Sequence, residues 1–450
     1  MATTFLVFAP SLRAETLEEA LVAAYSGNPA LQAQRAQLRA TDELVPEAKA
    51  NWRPTVKVVG DIGVEQLGAN TIPAPLSRNE TLFARDAALD IAEPLYRGGR
   101  TDAQISQAEA QVNAGRQQLA ATEQAVLLGA VTAYLDVIQD QAVVDLNKNN
   151  EQVLQRQLDA TNDRFRVGEV TRTDTSQAEA AVSGAHASRR AAEGVLQDAI
   201  ANYERLVGHL PKGLESVPTP ADLPATSDAA RSGAESNPSV LAQKYNYDAA
   251  VKGVDLAEGA LLPTVTLEGS YGRTLEESYT GSGVTVGTAL VNVSIPLYQQ
   301  GAEYAAIRQE KHTVGQQKLQ YDETLRETVE ATTQAWENLQ SARARVQSLE
   351  DQVKASRVAL EGMQRESLVG SRTVLDVLTT EQDLLTARVN LEEARHDAVV
   401  AAYQVKSQVG QLTAQALHLS VPIYDPKANY NEVTDKWIGT GVSPSYGEIK

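Results

Sequence analysis

The chain has 450 residues, 40 of them basic and 58 acidic, for a formal charge of −18. That balance leaves no basic stripe to neutralise phosphates, which excludes nucleic acid as a partner. Hydrophobic residues make up 42% but aromatic ones only 5%, and there is no cysteine; this excludes a disulfide framework, a thiolate metal site, a cysteine nucleophile and lipidation at an N-terminal cysteine.

The start, Thr3-Thr4-Phe5-Leu6-Val7-Phe8-Ala9-Pro10 followed by Ser11-Leu12-Arg13-Ala14, reads as the end of a secretory signal cleaved after Ala14, so residues 1–14 are set apart. No run of 18 apolar residues follows, so no transmembrane helix is expected. Thr16-Leu17-Glu18-Glu19 is a capping box opening a short helix. A second helix is expected over about 28–49. Periodicity then switches to two over 56–65, where the even positions are apolar or glycine, and a return strand follows near 82–91. From Gly99 to Gly168 the pattern is helical with almost no proline, which predicts a helix about 100 Å long at 1.5 Å per residue. Alanine and Leu/Ile/Val alternate along it with Gln, Arg and Glu, as packing in a coiled coil requires. A return helix covers about 174–207.

The same order then recurs. Asn28-Pro29, Pro54-Thr55-Val56 and Gly60 reappear as Asn237-Pro238, Pro263-Thr264-Val265 and Gly269, each 209 positions on. Pro94-Leu95-Tyr96, Val167-Gly168 and Val207-Gly208 reappear as Pro296-Leu297-Tyr298, Val369-Gly370 and Val409-Gly410, each 202 positions on. Two consistent offsets mark a tandem duplication with seven residues lost between Pro263 and Pro296. The first repeat covers 15–210 with a strand hairpin at about 55–93. A proline-rich linker covers 211–226. The second repeat covers 227–419 with a hairpin at about 264–295, and a tail without counterpart covers 420–450. In the strand over 284–295 the apolar parity slips near Ala289, which predicts a bulge.

Each candidate strand is about ten residues long, the length that crosses a bilayer as tilted β-structure. Four strands cannot close a barrel, since the smallest closed membrane barrels have about eight, and lipid does not tolerate an open edge. If the strands span a membrane, several chains share one barrel. Trp52, just before the first strand, and Tyr96 and Tyr298, just after the return strands, are then candidate membrane-interface aromatics. The other reading is a soluble periplasmic coiled-coil scaffold or adaptor carrying two surface hairpins.

The duplicated unit, the start Asn28-Pro29-Ala30-Leu31, the Pro-Leu-Tyr-x-x-Gly junction and the Val-Gly turns resemble the TolC family of outer-membrane channel-tunnels over about 15–419. The strongest segment runs from Val369-Gly370-Ser371-Arg372 to Asp376-Val377-Leu378. The tail, from Tyr424-Asp425-Pro426 to Trp437-Ile438-Gly439, is similar to the branch that serves type I protein secretion, and residues 420–450 are expected to be equatorial on the tunnel or disordered. The resemblance implies a mixed α and β fold, in which a long coiled-coil α-barrel joins a transmembrane β-barrel completed by trimerisation with four strands per chain. It further implies a homotrimer in outer-membrane lipid, met by a periplasmic membrane-fusion adaptor and an inner-membrane ABC or other transporter.

Catalysis finds no support. The five histidines are scattered without zinc-ligand spacing, and no nucleophile elbow or P-loop occurs, so neither enzyme activity nor a cofactor is expected. The turns Val167-Gly168-Glu169-Val170 and Val369-Gly370-Ser371 end the long helices. Glycine there suits a helix cap, and the resemblance makes these turns the adaptor-docking tips. It also makes Arg372, with Thr173 and Asp174, a periplasmic gate, and Asp376 a lumen constriction. Two positions depart from the family pattern: the second acidic ring position is Thr379 and the gate tyrosine is Ser367.

Overall fold

The computed structural model describes residues 14–67, 80–220 and 222–442. All of the expected secretory segment except Ala14 lies outside them. Among the described residues the chain divides into two compact units, each built from both repeats. One takes 14–36, 117–241 and 323–424; the other takes 37–116, 242–322 and 425–442. The units therefore cut across the duplication, because the long helices run through both.

The expected first helix is α1 (Leu17–Gly27), with both bonds of its capping box formed between Thr16 and Glu19. The expected second helix is broken into α2 (Pro29–Asp42) and α3 (Leu44–Ala50) at Glu43. Pro46 lies in the first turn of α3, where its missing N–H costs nothing.

The hairpin expected over 55–93 is four strands: β1 (Thr55–Ile62), β2 (Glu65–Leu67), β3 (Glu80–Leu82) and β4 (Arg85–Arg97). The short pair β2–β3 forms a separate ribbon. The second hairpin is β5 (Thr264–Leu275) and β6 (Gly283–Ser294), and β4 also pairs with β5. The two repeats thus share one antiparallel sheet, ordered β1-β4-β5-β6.

The predicted bulge near Ala289 is absent: β5 and β6 pair in unbroken register from Thr264↔Ser294 to Leu275↔Gly283. The register shift lies instead between Pro94 and Tyr96 of β4. Proline lacks an N–H for the ladder, so a bulge is a favourable place for it. The apolar parity of β6 slips because its apolar residues change faces along a regular strand.

The long helices are α4 (Arg100–Arg166) and α8 (Ala302–Leu368), 67 residues each. Their return partners are α5 (Arg172–Val207) and α9 (Val374–Gln408). Helix α4 contains one stretch long and apolar enough to cross a membrane by length and composition, although it holds no unbroken run of 18 apolar residues. Half of that stretch is buried, and Leu127, Val131 and Tyr134 of α4 are core residues.

In the first unit the twin asparagines do equivalent work. The Asn28 side chain accepts from Ala30 N at 3.0 Å and donates to Leu206 O at 3.1 Å. Asn237 accepts from Ser239 N at 2.9 Å and donates to Gln408 O at 3.0 Å. Each caps the helix that follows it and ties that helix to the end of a return helix, α2 to α5 and α7 (Pro238–Glu258) to α9.

The linker is a packed strap. The Tyr134 hydroxyl shares its one proton between the carbonyls of Glu15, at 2.7 Å, and Glu215, at 2.9 Å, and Leu223 packs on the cluster of Leu339, Ala402 and Val405. The tail forms a short helix, α10 (Ala428–Val433), whose Asn429 donates to Asp42 Oδ2 at 2.9 Å.

Candidate functional site

Two regions carry the candidate residues: the sheet, in the second unit, and the turns between the paired long helices, in the first.

Strand alternation and register sort the sheet into two faces. Lys57, Asp90, Ser270 and Thr288 stand opposite one another across the four strands. Ser270 Oγ donates to Asp90 Oδ1 at 2.8 Å, Thr274 Oγ1 donates to Asp86 Oδ1 at 2.7 Å, and Lys57 Nζ lies 3.8 Å from Asp90 Oδ2. The other face carries Val56, Val58, Leu89, Ile91, Leu267 and Tyr271, all exposed. One face suits water and the other suits lipid. The sequence reading missed Asp86 and Asp90; their four-residue spacing in a period-two strand was the available signal.

The bulge in β4 has a definite effect. Without it Tyr96 would follow Asp86 and Asp90 onto the polar face. The shift pairs Tyr96 with Val265 instead and moves it onto the apolar face. Trp52 is half-buried in the turn after α3, and Tyr298 is exposed in the segment after β6. Trp52 and Tyr298 therefore flank strand ends, while Tyr96 sits inside β4, one residue from its end. Both edges, β1 and β6, lack a strand partner among the described residues.

At the helix ends the two turns repeat one geometry. Gly168 (φ +84°) and Gly370 (φ +77°) take the left-handed conformation that favours glycine. Glu169 N donates to Arg164 O at 2.9 Å, and Ser371 N donates to Glu366 O at 3.0 Å, closing each helix. Val170, after the first turn, packs with Val374, after the second, in a cluster with Leu154, Ala185 and Leu378. The turns thus share one end of the unit. Val167 and Val369 are largely exposed. Behind the turns a groove of about 500 Å³ is lined by residues including Leu154, Ala181, Leu378 and Gln382.

The residues expected to form the gate and the constriction have partners within the chain. Asp174 accepts from Thr171 Oγ1 at 2.7 Å and from Thr171 N at 2.8 Å, closing the capping box of α5. Asp376 does the same for α9, accepting from Thr373 N at 3.0 Å and Thr373 Oγ1 at 2.8 Å. Hydrogen bonds from Thr171 hold the Asp174 carboxyl below the usual carboxylate range, and those from Thr373 do so for Asp376. Arg372 Nε donates to Glu366 Oε2 at 2.9 Å. Thr173 is exposed on the first turn of α5, and Thr379 Oγ1 turns back to Leu375 O. Within one chain Arg372 is not joined to Thr173 or Asp174. Among the described residues no group of three or more His, Asp or Glu is placed to hold a metal ion.

An amphipathic sheet open at both edges, carried on paired long helices, defines the wall of a membrane channel completed by more than one chain. Residues 20–209 and 231–411 each match the family described as outer membrane efflux protein, one match per repeat. The chain is 37% identical to outer membrane efflux protein BepC of Brucella suis over 428 residues, covering 94% of this chain and 92% of that one. It is 25% identical to outer membrane protein TolC of Vibrio cholerae over 417 residues, covering 89% and 92%. The crystal structure of the Campylobacter jejuni CmeC outer membrane channel superposes with a TM-score of 0.81 at 14% identity, covering 94% and 90%.

The chain belongs to the outer membrane efflux protein family, whose members are channel proteins rather than enzymes. It is an outer-membrane channel of the efflux and secretion class in a Gram-negative bacterium, with a periplasmic tunnel, and its barrel is completed by trimerisation. The soluble scaffold or adaptor that the residues also allowed finds no support.

Proposed function

We propose that the chain is a passive exit duct, without catalytic activity of its own. Three copies supply twelve strands to one barrel, with the polar face of Asp86, Asp90 and Ser270 toward the lumen. A periplasmic membrane-fusion adaptor docks on the turns at Gly168 and Gly370, and an inner-membrane ABC or other transporter drives cargo for type I secretion, efflux or both. The observation that carries this reading is the sheet, with two faces of opposite polarity and two free edges. A single chain can satisfy neither edge in lipid.

The tips add support. Both turns are exposed, share one packed end and lie beside a groove. Arg372 forms the gate with Thr173 and Asp174 of a neighbouring copy. Asp376, repeated three times about the axis, forms the constriction and favours cations.

The test uses Gly168→Val and Gly370→Val in the producing cell, with deletion of the gene as reference. Nothing lies within 4 Å of a Cβ at either glycine, so the substitution strains only the turn. Trimers should still reach the outer membrane, adaptor crosslinking should be lost, and export should fall to the level of the deletion. Normal export with normal adaptor crosslinking would remove the docking role.

A further inference from the structure

Among its described residues the tail closes with a turn, 436–441, that the channel reading does not use. From α10 the chain passes beside α3 toward the start of β1, all within the second unit. Three contacts fix its course. Lys49 Nζ donates to Asp435 Oδ1 at 2.8 Å, Arg53 Nη1 donates to Lys436 O at 2.8 Å, and the Arg53 guanidinium lies 4.8 Å above the Trp437 ring. Arg53 is two residues before β1. The turn is then closed on itself, with Lys436 Nζ donating to Gly441 O at 2.7 Å and Gly439 at φ +109°. The base of the turn is therefore charged and pinned. Trp437 is 66% exposed and Ile438 89%.

A fixed turn that exposes Trp and Ile is costly in water, in proportion to the apolar surface it leaves uncovered. Its position identifies what covers it. Arg53 leads directly into a strand that crosses the outer membrane, so the turn lies where the barrel leaves the bilayer on the periplasmic side. Tyr96, moved onto the apolar face by the β4 bulge, marks the same end of the sheet, since Arg97 next to it pairs with Thr264 at the start of β5. Tryptophan settles at the headgroup level, with its ring in the apolar boundary and its polar edge in water.

We propose that the turn 436–441 is a membrane anchor at the foot of the barrel, in which Trp437 and Ile438 enter the headgroup boundary of the periplasmic leaflet. This rests on the outer-membrane channel reading and adds a lipid contact outside the barrel. Arg53 is a positioning residue: it holds the turn by its carbonyl and its ring, and its charge faces the phosphate level.

The chain has three tryptophans, so Trp52→Phe with Trp336→Phe leaves Trp437 as the only indole. The full-length trimer of this variant is placed in phosphatidylethanolamine–phosphatidylglycerol vesicles containing bromine-labelled phosphatidylcholine, with bromine near the headgroup or near the chain end. Trimer recovery and conductance, measured first, report on the channel reading separately. In conducting trimers the anchor predicts blue-shifted emission, with quenching several-fold stronger from headgroup-proximal bromine than from chain-end bromine. Arg53→Ala should reduce that quenching while conductance persists. Water-like emission without lipid quenching would overturn the proposal. Blue-shifted emission that no lipid quenches would also overturn it and would assign the turn to a contact with a neighbouring copy.

Discussion

Arg372 is bonded to Glu366, six residues back across its own turn, with Nε donating to Oε2 at 2.9 Å. To reach a neighbouring copy the guanidinium must share itself with, or leave, that carboxylate. The Asp174 carboxylate is likewise already engaged by Thr171. The gate proposed for Arg372, Thr173 and Asp174 therefore sets contacts within a chain against contacts across chains.

This competition gives two substitutions opposite signs. Arg372→Ser should raise conductance in planar bilayers, because it removes the closing contact. Glu366→Gln should lower the open probability a few-fold, because it releases Arg372 to the neighbour. If both shift conductance in the same direction, Glu366 is not the competitor.

The tunnel wall carries a pH-dependent clasp. His396 of α9 meets Asp136 Oδ1 of α4 at 2.8 Å through Nε2 and Asp397 Oδ1 at 3.2 Å through Nδ1. Burial alone would push its pKa down, but the two carboxylates outweigh burial and raise it above 6.5. A raised folded pKa means the stabilisation is fully present below the unfolded value of 6.5 and is lost as pH rises through the folded value. The unfolding temperature of the trimer should therefore fall as pH rises above 6.5, and His396→Gln should flatten that dependence. An identical slope in the variant would remove the clasp.

The Lys406 side chain, near the end of α9, is only 5% exposed, and its ammonium lies 2.7 Å from Asp222 of the linker strap. Asp222 itself is 74% exposed, so water tempers the interaction from its side. Asp222→Asn leaves a buried ammonium short of its counter-charge and should cost about 1–3 kcal/mol. Lys406→Met removes that charge and keeps the volume, so it should cost less. Denaturant unfolding compares the two directly, and the reverse order would mean that the pair does not hold the strap.

The duplication, the long helices and the capping box of α1 were legible because they are local or periodic. Thr171-x-x-Asp174 and Thr373-x-x-Asp376 have capping-box spacing, yet resemblance pointed to gate and ring roles and concealed the simpler job those carboxylates do in each chain. The parity slip in β6 could not be resolved by pattern alone, since a bulge and a change of apolar face look alike along one strand. Pairing partners decide, and Ala289 faces Gly269 in regular register. The joining of β4 to β5 and the bond from Asn429 to Asp42, 387 residues apart, were beyond sequence reasoning because no local signal encodes them.

The central claim, that β1 and β6 edges of different copies close one barrel, is tested by disulfide crosslinking in a chain that has no cysteine of its own. Val58→Cys in β1 is combined in turn with cysteine at successive β6 positions from Ala289 to Val293, and the protein is oxidised in outer membranes and run without reductant. The account predicts covalent dimers and trimers at one register, no larger species, and collapse to monomer on reduction. Monomer at every register, or a ladder extending beyond the trimer, would contradict it.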